Sequence, residues 1–103
     1  MIDLDSYPLP VEDVVGRVVE GAEDQPAEAV LVLPEKGQVK VLNEVGARIW
    51  SLVDGQRNLR EIAHLICQEY EVDASQAETD VLAFVEELAE GGVVKISDYP
   101  GLG

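Results

Sequence analysis

The chain has 103 residues, of which 47% are hydrophobic and 27% charged, a balance that fits a single folded domain with a modest core. Its 21 acidic and 7 basic residues give a formal net charge of −14, which disfavours binding to nucleic acid or to anionic lipid. The single cysteine excludes an internal disulfide, and no apolar run approaches the ~20 residues of a membrane span. Acidic residues stand near the N-terminus, where a signal peptide carries basic ones, so the chain is predicted to be cytoplasmic.

The first half of the chain is rich in strand-forming residues. Residues 1–13 contain two prolines and no clear periodicity, which predicts an extended N-terminal arm. Loop-forming residues at 20–27 and a tight turn ending at Gly37 then separate three apolar segments. These segments are predicted to form a three-stranded antiparallel sheet: residues 14–19, 29–33 and 38–42.

From residue 43 onward, apolar residues recur at helical spacing. Polar residues that can cap a helix N-terminus predict where three helices begin: at Asn43, at the capping box of Asn58 with Glu61, and at the capping box of Ser75 with Glu78. Gly91 and Gly92 end the third helix, residues 93–96 suggest a short final strand, and residues 97–103 are expected to form a flexible tail. The predicted class is α+β, of winged helix-turn-helix type.

The residues that carry enzyme chemistry are scarce. His64 and Cys67 lie three residues apart on the second predicted helix, but the expectation is a surface histidine beside a semi-buried thiol. Two such residues are too few for a structural zinc site, and no phosphate-binding loop is present. The third helix, which would enter DNA in a winged-helix protein, contains no Lys or Arg. A non-catalytic protein without metal or cofactor is expected.

The third helix carries an unusually wide apolar surface, which spans roughly 160° at ~100° per residue. A helix packed on one side needs little more than ~100°. The centre of this arc is predicted to face the core: Ala77, Val81, Phe84 and Leu88. One flank is predicted to line a groove: Leu82, Val85 and Ala89. The alternative is that the whole arc packs inside the domain.

Several motifs follow one another along the chain: LNEVGARIW at residues 42–50, DG at 54–55 and LREI at 59–62. The first resembles the LN-x-x-(G/A)-x-x-I-W segment of the PqqD family, and the other two are similar to the continuation of that segment. Residues 80–88 are similar to the third-helix signature, and the preceding hairpin also matches. The resemblance covers residues 29–96, and residues 14–96 are expected to form the PqqD-like domain.

This resemblance implies a domain that binds the leader segment of a ribosomally made precursor peptide and presents it to a modifying enzyme. For PqqD itself, that enzyme is a radical S-adenosylmethionine enzyme of pyrroloquinoline quinone synthesis; related domains serve other peptide-modification pathways. The leader would add as a strand beside the third helix, at positions that correspond here to Val39, Lys40, Val41 and Leu42 with Leu82, Val85 and Ala89. The alternative function is a regulatory adaptor that binds a folded protein through its acidic surface.

Overall fold

The computed structural model describes residues 2–19, 28–33 and 37–100. The predicted loop at residues 20–27, most of the turn before Gly37 and the last three residues of the predicted tail lie outside the described residues. The elements in chain order are β1 (Tyr7–Pro10), β2 (Val15–Val19), β3 (Glu28–Leu33), β4 (Gln38–Leu42), α1 (Glu44–Leu52), α2 (Leu59–Tyr70), α3 (Ala74–Glu90) and β5 (Val94–Ser97). The predicted order of strands and helices is confirmed, with β1 in addition.

The strands of the described residues form two antiparallel sheets. The larger one has the order β2-β3-β4, as the valine-rich segments predict. Its register pairs Leu31 with both Gly16 and Lys40, so that one face of β3 is directed at the helices. The smaller sheet pairs β1 with β5. The sequence predicts the final strand, β5, but it does not predict that β1 is the partner of β5.

The core lies between the larger sheet and the three helices. On β3, Ala29 and Leu31 are fully buried and alternate with the partly exposed Val30 and Val32, which is the period-2 pattern of a half-buried strand. Each helix contributes a buried stripe at helical spacing. The three stripes consist of Ala47, Ile49 and Leu52 from α1, Leu59, Ile62, Ala63 and Ile66 from α2, and Ala77, Val81, Val85 and Leu88 from α3.

Two of the three predicted helix starts are confirmed in detail. The Asn43 side chain accepts a hydrogen bond from the Gly46 amide at 2.8 Å, and Asn58 and Glu61 form a reciprocal capping box. The third start is wrong: α3 begins after Asp73, and Ser75 lies inside its first turn. The Ala77 amide already donates to the Asp73 carbonyl at 2.9 Å, so helical hydrogen bonding starts two residues before the predicted cap.

The N-terminal segment is tied closely to the rest of the molecule. Within the predicted arm, Tyr7–Pro10 forms β1, although Pro8 and Pro10 argued against a strand; proline is tolerated in strands at a sheet edge, and both strands of a two-stranded sheet are edges. The Leu59 and Arg60 amides, in the first turn of α2, donate to the carbonyls of Ser6 and Leu4 at 3.0 Å. This segment therefore satisfies backbone donors that a helix start leaves without partners.

Candidate functional site

The outer edge of β4 is the first element of the candidate site. This strand hydrogen-bonds to β3 along one side, and the described part of the chain places no strand along the other. Val39 is 64% exposed and Val41 is 62% exposed. Lys40 and Leu42 alternate with them along the strand and are less exposed, and Leu42 is buried. An open edge of this kind can pair with an extended segment of another chain.

A groove runs beside this edge, between β4, α3 and α1. Its volume is about 510 Å³. Its walls combine apolar and charged residues: Lys40, Val41, Leu42, Asn43, Val45, Gly46, Ile49, Asp80, Phe84 and Glu87. On α3 the three lining residues lie at positions i, i+4 and i+7, which places them on one face of the helix. The groove is therefore bounded by a strand edge on one side and a helix face on the other.

Phe84 is an apolar residue of the groove wall, and the small residue at position 46 makes room for its ring. A Cβ atom added to Gly46 would approach the Phe84 Cζ atom to 3.1 Å, closer than most Cβ contacts. The ring therefore lies directly against the start of α1. The glycine or alanine of the LN-x-x-(G/A)-x-x-I-W motif falls at this contact, which gives that motif position a structural reason in this chain.

An ion pair crosses one end of the groove. The Lys40 ammonium lies 3.6 Å from the Glu87 carboxylate, and thereby connects β4 to α3. Beyond this pair, Gln38 and Val39 line a second hollow together with Gly91. Since Gln38 lies near Gly91 and Lys40 near Glu87, β4 and α3 run in opposite directions along the groove. Phe84 and Asp80 therefore lie toward the α1 end.

The site residues predicted on β4 lie at the groove. Lys40, Val41 and Leu42 line it, and Val39 lines the adjoining hollow. The arrangement of the edge strand beside α3 is therefore as expected from the sequence.

No residue of the predicted α3 flank lines this groove, and a role of that flank in peptide binding stays a prediction. Val85 is fully buried in the core, Leu82 packs against the core, and Ala89 lines a separate hollow with Ile2 and Glu86. These positions are turned about 100–160° around the helix axis from Phe84, so they face elsewhere. Phe84, which was expected in the core, is the α3 aromatic that faces the groove. In the sequence, Phe84 lies at the edge of the wide apolar arc opposite to Leu82, and this position is the signal that indicates its place in the groove.

The remaining candidates for chemistry lie apart from the groove. The Cys67 thiol donates to the Val72 carbonyl at 2.9 Å, which closes the end of α2, and His64 is exposed. Among residues 2–19, 28–33 and 37–100, no group of three or more His, Cys, Asp or Glu side chains could hold a metal ion. In the same described ranges, no helix is long and apolar enough to cross a bilayer.

Comparison with known proteins identifies the fold and the motifs together. The family model for coenzyme PQQ synthesis protein D matches residues 28–94. The chain belongs to the PqqD family. A curated PqqD relative, the PqqA binding protein of Xanthomonas campestris pv. campestris (strain B100), is 31% identical over 67 residues, which cover 65% of this chain and 71% of that protein.

Solved structures of similar domains share the PqqD fold. TbiB1 in complex with the TbiA(beta) leader peptide is 32% identical, with a TM-score of 0.70 over 84% of this chain and 94% of that one. The PqqD truncation of Methylobacterium extorquens PqqCD, a stand-alone RiPP recognition element, is 27% identical, with a TM-score of 0.66 over 85% and 87% of the two chains. Lasso peptide synthetase B1 with its leader peptide, at 22% identity and a TM-score of 0.72 over 86% and 98%, supports the fold alone.

Proposed function

We propose that this chain is a non-catalytic recognition domain that captures the leader segment of a ribosomally synthesised precursor peptide. The observation that carries the proposal is the open edge of β4 beside the Phe84 groove. A leader that adds to this edge would gain backbone hydrogen bonds from β4, and alternate side chains would enter the groove. Backbone pairing supplies affinity that depends little on sequence, whereas the groove supplies selectivity.

The relatives support the same role. One of them is described as a PqqA binding protein, and TbiB1 was solved with a leader peptide. The proposed partners of this chain are accordingly a precursor peptide and the enzyme that modifies it, either a radical S-adenosylmethionine enzyme of quinone synthesis or an enzyme of a related pathway. Presentation by a separate domain requires no catalytic group on this chain. The cytoplasmic location stays a prediction.

An NMR titration of the isotope-labelled chain tests strand addition directly. The probe is the precursor peptide encoded nearest to this gene, with a scrambled peptide as control. We expect chemical-shift changes concentrated at Val39–Leu42 and around Phe84. Only alternate amides of an added strand point at β4, so two peptides that are methylated at alternate sets of backbone nitrogens test the pairing. Methylation of the set that points at β4 should abolish binding, and methylation of the other set should leave binding largely intact. Equal loss of binding for the two peptides would contradict strand addition.

Two matched variants of α3 locate the groove side in the same assay. Phe84→Ala and Leu82→Ala each remove a half-buried side chain from α3, but only Phe84 lines the groove. We expect Phe84→Ala to weaken binding at least about tenfold, since an aromatic side chain at a binding groove commonly contributes more than 1.4 kcal/mol. Leu82→Ala should bind like the unmodified chain. The opposite order would restore the flank of Leu82 and Ala89 as the binding face.

The net charge of −14 favours one alternative, an adaptor that binds a basic folded protein through its acidic surface. The two functions differ in their response to salt. Contacts between exposed charges weaken steeply as ionic strength rises, whereas strand addition with apolar side chains weakens little. Repeating the titration at low and high salt therefore separates them, and peptide-induced shifts confined to acidic surface residues would favour the adaptor.

A further inference from the structure

The Asp80 carboxylate lies at one end of the groove, and no cationic side chain of the described residues pairs with it. Asp80 lies one helical turn before Phe84 on the same face of α3, and it is exposed. Its side chain accepts a hydrogen bond from the Gln76 amide at 2.8 Å, which supplies no charge. In the described part of the chain, no ion pair involves Asp80, whereas Glu87 at the other end of the groove is paired with Lys40. The groove thus has one partly neutralised carboxylate and one open carboxylate.

The spacing between Phe84 and Asp80 matches the repeat of an added strand. Four residues along a helix rise about 6 Å. Two residues along an extended strand advance about 6.7 Å, and these alternate residues point to the same face. A strand laid along β4 that places one side chain against Phe84 therefore places the side chain two residues away beside Asp80. The direction of the strand does not affect this match, because a residue two positions before or after meets the same carboxylate.

We infer that the leader recognised by this chain carries Lys or Arg two residues from the apolar residue that packs on Phe84. This inference rests on the proposed capture of a leader by β4, and it adds the chemistry of the segment that is captured. A basic side chain at that position meets the carboxylate of Asp80. An acidic side chain is repelled by Asp80 and by the net charge of −14. A neutral polar side chain is tolerated without gain.

The test is a pair of selections from a library of randomised 12-residue peptides displayed on phage. The first target is the full chain, and the second is the Asp80→Lys variant. We expect the first selection to enrich an apolar residue with Lys or Arg two positions away. The second should enrich the same apolar residue with Asp or Glu at that position. The matched control is Glu86→Lys, which makes the same charge change at an exposed position of α3 that lines a different hollow.

Affinities then measure the preference. The most enriched peptide is compared by fluorescence anisotropy with versions in which the basic residue is Gln or Glu. For an exposed ion pair we expect about 2- to 5-fold weaker binding of the Gln version. The Glu version should bind more weakly still, and Asp80→Lys should reverse this order. Glu86→Lys should leave the order unchanged.

Other outcomes separate this inference from the function on which it rests. Enrichment of an apolar residue with no charge preference, or an equal change for Asp80→Lys and Glu86→Lys, overturns the basic-residue inference while leaving strand capture in place. Failure of both selections to enrich any common pattern overturns strand capture, and the inference falls with it.

Discussion

Phe84 and Val85 are neighbours in sequence with different environments. The Phe84 ring faces the groove, and the Val85 side chain is fully buried among the core residues. Sequence alone reverses the two, because both fall within the wide apolar arc of α3. That arc has two flanks on either side of the true core stripe, one with Phe84 and one with Leu82 and Ala89. Which flank meets β4 depends on how the sheet docks, and helical periodicity does not encode this.

Val85 should therefore behave as a core residue. We expect Val85→Ala to lower the free energy of unfolding by about 2 kcal/mol, since it removes buried methyl groups and leaves a cavity. Urea denaturation followed by circular dichroism measures this. The matched control is Val39→Ala, at a position that is 64% exposed on β4, where we expect a loss below about 1 kcal/mol. Equal losses at the two positions would contradict the assigned burial.

At the scale of elements, a bidentate ion pair connects α1 to α2. The Arg48 Nε atom donates to Glu69 Oε1 at 2.8 Å and its second terminal nitrogen, Nη2, donates to Oε2 at 2.9 Å. The hydrogen bond from Arg48 lowers the pKa of Glu69, and burial opposes it only in part. The same pairing with Glu69 raises the pKa of Arg48. Both shifts favour the charged pair in the folded state.

The lowered pKa of Glu69 predicts a pH-dependent contribution to stability. Because the folded state holds this carboxylate ionised, the contribution is complete above the ordinary glutamate pKa of about 4.3 and is lost as the pH falls through the folded value. Glu69→Gln should lower the unfolding free energy by less than about 1 kcal/mol at neutral pH, since the pair is partly exposed. Urea denaturation at pH 7 and at acidic pH measures the difference in unfolding free energy between this variant and the unmodified chain.

The control for this pH dependence is Glu86→Gln, at an exposed position outside every described ion pair. This variant removes the same negative charge, and so corrects for relief of repulsion in a chain of net charge −14. The difference between the two variants should shrink as the pH falls. A difference that stayed constant down to low pH would show that Glu69 acts through packing and not through its charge.

The elements that the sequence predicts well are those set by local chemistry. The valine-rich segments predicted the sheet, and the side-chain caps Asn43 and Asn58 predicted where α1 and α2 begin. The start of α3 was misplaced because a helix can begin without a side-chain cap, as it does at Asp73. β1 was missed because its pairing with β5 joins residues almost ninety positions apart, which no local pattern reports. The β4 half of the candidate site followed from local pattern, and the α3 half required the docked fold.

At the scale of the whole molecule, the N-terminal segment joins parts that are distant in sequence. β1 pairs with β5 after α3, the Pro8 carbonyl accepts from the Gly55 amide in the turn before α2, and Leu4 and Ser6 accept from the first turn of α2. Ser6 itself is buried, and its hydroxyl accepts from the Asp3 amide at 3.0 Å. The division into an arm at residues 1–13 and a domain at 14–96 stays a prediction about independent folding, and these contacts argue that the domain needs the segment.

A chain that lacks residues 2–10 tests this dependence. Three backbone hydrogen bonds from Gly55, Leu59 and Arg60 are lost, and at about 1 kcal/mol each they contribute a loss near 3 kcal/mol, to which the lost β1–β5 pairing and the exposure of apolar surface add. Urea denaturation gives the total, and hydrogen exchange gives the location. The Leu59 and Arg60 amides should lose more protection than the Glu61 amide, which still donates to the Asn58 side-chain oxygen. An unchanged denaturation midpoint, with Leu59 and Arg60 still protected, would mean that α2 starts unaided and that the segment is a separable arm.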